Sequence, residues 1–144
     1  MTDNSLKDIQ MSTYSFLLKI RRNASLNSTD RGSNGSELQN KNPNFINMKL
    51  SNQDILTIRN YFQDKPVLKA FVFGSFSRDE ALSSSDIDLL VELDYSKHIG
   101  LSFVNMKFDL EERLHKKVDL VSSNSISKHI LPFINNDKKL IYER

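Results

Sequence analysis

The chain has 144 residues, of which 38% are hydrophobic and 9% aromatic, enough to build one modest core and too little for two. It has no cysteine, which excludes a disulfide scaffold, a cysteine-ligated zinc site and thiol chemistry. No apolar run approaches the roughly 18–20 residues of a membrane span, and the apolar stretch at 14–20 is too short for a signal sequence and is broken by Lys19. A soluble, cytoplasmic protein is therefore expected. The net charge of +2 is unevenly spread: residues 1–47 carry six basic and four acidic side chains, whereas residues 48–144 carry fourteen of each. A neutral body lacks the electrostatic footprint of a protein that grips a phosphate backbone, so no direct nucleic-acid binding is expected.

Residues 1–47 hold eight asparagines and seven serines and have almost no apolar periodicity after Ile20. Such a segment cannot bury enough surface to offset its ordering entropy, so it reads as a disordered Asn/Ser-rich extension. It also reads as non-essential, an over-long reading of the start site whose deletion should leave folding and activity intact. Regular signals begin at Met48. Ser51 is placed to cap a helix, with Asp54 reaching back and Leu50 stapled to Ile55. Ile55, Ile58 and Phe62 give that helix a buried stripe, which Pro66 stops. Residues 67–73 read as a buried strand, broken by Gly74 and Ser75, from which a short helix is expected to run towards Leu82. Residues 86–93 form the second strand: Ile87, Leu89, Val91 and Leu93 alternate onto one face, while Asp86, Asp88, Leu90 and Glu92 share the other. Residues 99–115 read as a helix with Leu101, Val104, Phe108 and Leu114 inward and Glu111, Glu112 and Arg113 solvated. Residues 117–121 form a short third strand, residues 125–135 a helix interrupted at Pro132, and residues 140–142 a last strand. The order implies a small α/β (α+β) domain over residues 48–144, with a mixed sheet of three to four strands flanked by helices.

The chemistry concentrates between Val72 and Val91. Gly74 follows a strand, and its missing side chain lets a ligand approach the backbone closely. Ser75 is expected at a helix N-terminus, where free N–H groups and its hydroxyl would seat a phosphate. Asp86 and Asp88 lie two residues apart, so both carboxylates project from one face of a strand, about 6–7 Å apart, and repel one another. Divalent cations between them remove the conflict, and hard oxygen ligands without cysteine or clustered histidine point to Mg²⁺ or Mn²⁺ rather than zinc. Asp119 is a third carboxylate within an otherwise apolar strand; beside the second strand it would converge with the other two. Each element has a plain alternative: a loop at Gly74 and Ser75, a cap and a solvated face at Asp86 and Asp88, a pair with Lys116 or Lys117 for Asp119. Together, however, Gly-Ser, ten spacers and Asp-x-Asp would occur by chance in such a chain with a probability on the order of 10⁻³. His98, His115 and His129 have no ligand spacing and read as surface residues, and Glu92 as a rim residue.

Gly74-Ser75, ten residues, Asp86-Ile87-Asp88-Leu89 and the later Val118-Asp119-Leu120 resemble the signature of the polymerase-beta-type nucleotidyltransferase superfamily. The short length, residues 86–91 and Arg78 make the chain most similar to the minimal nucleotidyltransferases (MNT) of prokaryotic toxin–antitoxin pairs, over residues 48–144. The resemblance implies a Mg²⁺-dependent transfer of AMP from ATP to a tyrosine of a HEPN-domain toxin, which is thereby silenced. It implies Asp86, Asp88 and Asp119 as the catalytic and metal-binding residues around two Mg²⁺ ions, and Gly74, Ser75 and Arg78 as the nucleotide-binding residues. Family members often have a small or basic residue where Phe76 stands. The competing expectations are an antitoxin that neutralises its partner by binding alone and, more remotely, an enzyme acting on RNA ends.

Overall fold

A computed structural model describes residues 48–144. The expected N-terminal extension, residues 1–47, lies outside the described residues. Helix α1 (Asn52–Phe62) starts where the sequence signals it: the Ser51 hydroxyl accepts from the Asp54 amide at 3.0 Å, and the Asp54 carboxylate accepts from the Ser51 amide at 3.3 Å, a closed capping box. It is followed by β1 (Val67–Phe73), a 3₁₀ turn (Gly74–Phe76), β2 (Ile87–Leu93), α2 (Ser102–Leu114), β3 (Val118–Ser122), a second 3₁₀ turn (Ser123–Ser125), α3 (Leu131–Asp137) and β4 (Lys139–Glu143). The four strands form one sheet in the order β3-β2-β1-β4, with β3 parallel to β2 and the other pairs antiparallel. The expected small mixed sheet flanked by helices is the fold observed.

The sheet separates two cores. On one face, Ile87, Leu89, Val91 and Leu93 of β2 pack with Ile58 and Phe62 of α1 and Phe103, Met106, Leu110 and Leu114 of α2. On the other, Phe73, Leu90 and Val121 meet Ile130 and Ile134 at α3. The alternation read along β2 therefore holds. Among the described residues, no helix is long and apolar enough to cross a membrane.

Three local expectations are corrected. The helix expected from Ser75 to Leu82 is only the three-residue 3₁₀ turn. Asp79 enters the left-handed region at φ 60°, and Ala81 turns away to bridge Met48 in an antiparallel pair, so no helix can continue. The inward stripe of α2 is also different: Leu101 is 70% and Phe108 59% exposed, and of the four residues named only Leu114 is buried. The helix is turned so that Asp109 accepts a 2.7 Å bond from the Tyr61 hydroxyl and Arg113 lies over the Tyr61 ring, which locks α2 against α1. Finally, Pro132 does not interrupt a helix; it sits in the first turn of α3, where its missing N–H costs nothing.

Candidate active site

The site is assembled where β1 ends and β2 and β3 begin. Strands β2 and β3 run in parallel register with Asp88 directly beside Asp119, so the two carboxylates leave the same face from neighbouring strands about 4.8 Å apart. That face is the one that carries Leu90 and Val121, opposite the large core. Asp86 stands one residue before β2 and two before Asp88; the Ile87 amide between them is tied to the Lys117 carbonyl at 2.8 Å, which sets how β2 starts beside β3. Asp88 is 7% exposed and its Oδ1 is out of contact with solvent, whereas Asp86 and Asp119 are half-buried. Three carboxylate residues therefore stand at one end of a parallel strand pair, Asp88 the most buried of them.

Gly74 meets that deepest acid. Its φ of +72° is a conformation that L side chains rarely adopt, and a Cβ placed there would lie 2.5 Å from Asp88 Oδ2. The strand register explains the approach, because Phe73 pairs with Asp88 across β1 and β2. The glycine of the Gly-Ser pair and the second aspartate of Asp-x-Asp, fourteen positions apart, thus form one cradle. The turn is held from within: the Ser77 amide and hydroxyl and the Arg78 amide all donate to the Gly74 carbonyl, and the Glu80 amide donates to the Ser75 carbonyl. Ser75 lies in this turn, half-buried. With only three residues in the turn, the dipole of a full helix is not available at Ser75; what the backbone offers is close access. The Phe76 ring, 4% exposed, is anchored in the large core and so points away from the acids.

Arg78 leaves the turn towards α3. Its Nε donates to Glu80 Oε2 at 2.8 Å and its Nη1 to Asp137 Oδ2 at 2.5 Å. Burial works against its charge, but the two carboxylates outweigh that and raise its pKa further. Lys116 pairs with Asp54 and Lys117 approaches Glu111. The histidines do not gather, and among the described residues no three His, Cys, Asp or Glu side chains are drawn together closely enough to clasp an ion. The donor chemistry nevertheless fits a hard divalent cation: three carboxylates around one strand end, with a glycine cradle that any Cβ would fill. Sequence reasoning missed Ser77, which pins the cradle from a buried position, and Asp137, 59 residues from the arginine it holds. Ser77 had a signal in its place directly after the Gly-Ser turn; Asp137 had none, because the contact is made by the fold.

A βαβ-like strand pair with acids at one end and a glycine turn against Asp88 is the arrangement that a nucleotidyltransferase site would require. Comparison with known proteins agrees: the family described as polymerase beta, nucleotidyltransferase, matches residues 56–144, and the chain belongs to it. Among curated relatives, a candidate protein adenylyltransferase of Methanocaldococcus jannaschii is 47% identical over 60 residues, covering 42% of this chain and 63% of its own length. The protein adenylyltransferase MntA of Thermococcus cleftensis is 39% identical over 59 residues, covering 41% of this chain and 59% of its own. The chain thus spans about three-fifths of the length of these two relatives. Among solved structures, a toxin–antitoxin crystal structure with AMP-PNP superposes with a TM-score of 0.54 at 21% identity, covering 65% of this chain and 75% of that one. A likeness of that kind speaks for the fold alone.

Proposed function

We propose that the protein is a Mg²⁺-dependent adenylyltransferase that moves AMP from ATP onto a tyrosine of a HEPN-type toxin and so neutralises it. The observation that carries this reading is the register of β2 and β3, which sets Asp88 beside Asp119 on the face that Gly74 approaches. The curated relatives named as protein adenylyltransferases support it, as do the fold neighbours that are toxin–antitoxin structures.

In this reading Asp86, Asp88 and Asp119 hold two Mg²⁺ ions. When bound, the ions neutralise charge on the triphosphate and make the acceptor hydroxyl a better nucleophile. The remaining work falls to the chain. Gly74 and Ser75 take the β- and γ-phosphates against the backbone, and Arg78 offers the guanidinium N–H groups that its own ion pairs leave over. Asp119 accepts the proton of the tyrosine hydroxyl as its oxygen attacks the α-phosphorus in line, forming the new P–O bond while the bond to pyrophosphate breaks. Phe73 and Leu90, buried beside Asp88, exclude water from that side.

The test is incubation of the full chain with labelled ATP, Mg²⁺ and the product of the neighbouring reading frame. Label on a tyrosine of that protein, with loss of its activity, is expected. No transfer onto an active toxin contradicts the reading. Rescue of cells by Asp86→Ala with Asp88→Ala at normal expression assigns the neutralisation to binding alone.

A further inference from the structure

We propose that Asp137 is a positioning residue for the nucleotide: it orients the Arg78 guanidinium, a role that rests on the proposed nucleotide site. Arg78 lies three residues past Ser75, on a turn whose backbone is set at both ends, by Gly74 at φ +72° and by Asp79 at φ 60°. The Arg78 amide bonds the Gly74 carbonyl at 3.2 Å, so the side chain starts from a fixed point. A long side chain would still sample many rotamers from there. Two carboxylates restrict it: Glu80 Oε2 takes Nε and Asp137 Oδ2 takes Nη1.

The two partners are unequal. The Glu80 side chain is 62% exposed and only two positions from Arg78, so solvent and salt screen it and it shares the turn's own motion. The Asp137 side chain is 19% exposed and is the last residue of α3. That helix is fastened to the acid-bearing face by Ile134, 1% exposed, and by Ile130, which pack with Phe73, Leu90 and Val121. The Lys138 amide returns to the Ile134 carbonyl at 2.9 Å and closes the end of the helix. Asp137 is thereby a fixed carboxylate built on the same small core as the acids. The two bonds use two of the five guanidinium N–H groups, and the planar fork leaves three in one orientation. A triphosphate that enters the cradle meets an arginine whose direction is already set.

Binding of AMP-PNP with Mg²⁺ to the full chain, followed by calorimetry, tests the role, together with melting temperatures and, where transfer is measured, KM for ATP and kcat. Asp137→Asn keeps the shape and removes the charge; it is expected to weaken nucleotide binding and raise KM about tenfold with a smaller change in kcat. Asp137→Glu restores part of the affinity. In an Arg78→Ala background Asp137→Asn has no further effect, because the group it aims is gone. An Asp137→Asn protein with wild-type or tighter affinity overturns the proposal alone, as does an equal loss in both backgrounds, which marks a structural role. Wild-type protein that binds no nucleotide overturns the proposal together with the function it rests on.

Discussion

The two faces of the sheet are built for different ends. The face under α1 and α2 carries the large hydrophobic core, with Ile58, Phe62, Ile87, Leu89, Val91 and Leu110 fully enclosed. The face under α3 has a small core of five buried residues and gives the space beside it to Asp88 and Asp119. One strand serves both: successive residues of β2 point to opposite sides, so Ile87 and Leu89 hold the domain together while Asp88 between them turns to the face it shares with Asp119. A domain this small has room for little else.

The sharpest way to break that comparison is to neutralise one side at a time. Asp88→Asn is expected to lower transfer on the order of 10³-fold, the scale of losing a group that organises charge in the transition state, while the large core on the opposite face keeps the domain folded. Leu110→Ala should do the reverse: a loss of about 2–5 kcal/mol in denaturant unfolding with transfer per folded molecule intact. Phe108→Ala on the outward side of the same helix should change stability by less than about 0.5 kcal/mol, although hydrophobic pattern alone would place it in the core. Gly74→Ala joins the two sides. The left-handed φ and the 2.5 Å approach to Asp88 Oδ2 predict a loss of about 1–3 kcal/mol together with loss of transfer.

The smallest effect expected is one of pH, at the start of α1. Burial pushes the Asp54 carboxyl up, but the Ser51 hydroxyl, Lys116 and the Ser51 amide together hold it below its ordinary value. A lowered folded value stabilises the protein above the unfolded value, near 3.8, and that contribution fades as pH falls through the folded one. Wild type should therefore exceed Asp54→Asn in melting temperature at pH 6, by an amount worth under about 1 kcal/mol, and the gap should narrow as the pH is lowered past 4.

Much of this was legible in the sequence because its signals are local. The Ser51–Asp54 box, the alternation along β2 and the spacing of Gly74, Asp86 and Asp88 are short-range signals, whereas Asp119 stood out as an acid in an apolar strand and joins Asp88 only through the pairing of β3 with β2. What escaped was set by tertiary contact. The rotation of α2 follows from the Tyr61–Asp109 bond across 48 residues, which no periodicity along the helix encodes. The helix expected from Ser75 towards Leu82 is replaced by a turn, because the bridge from Ala81 to Met48 draws the chain away. The Arg78–Asp137 pair was invisible for the same reason.

The central claim is that the acids at 86, 88 and 119 gather a hard cation beside the Gly74 cradle. Mn²⁺ added with AMP-PNP to the isotope-labelled full chain tests it most directly, through paramagnetic broadening of backbone amide resonances. The account predicts broadening centred on Gly74, residues 86–89 and residues 118–120, abolished by Asp88→Asn. Broadening centred elsewhere, or unchanged in that variant, would contradict it.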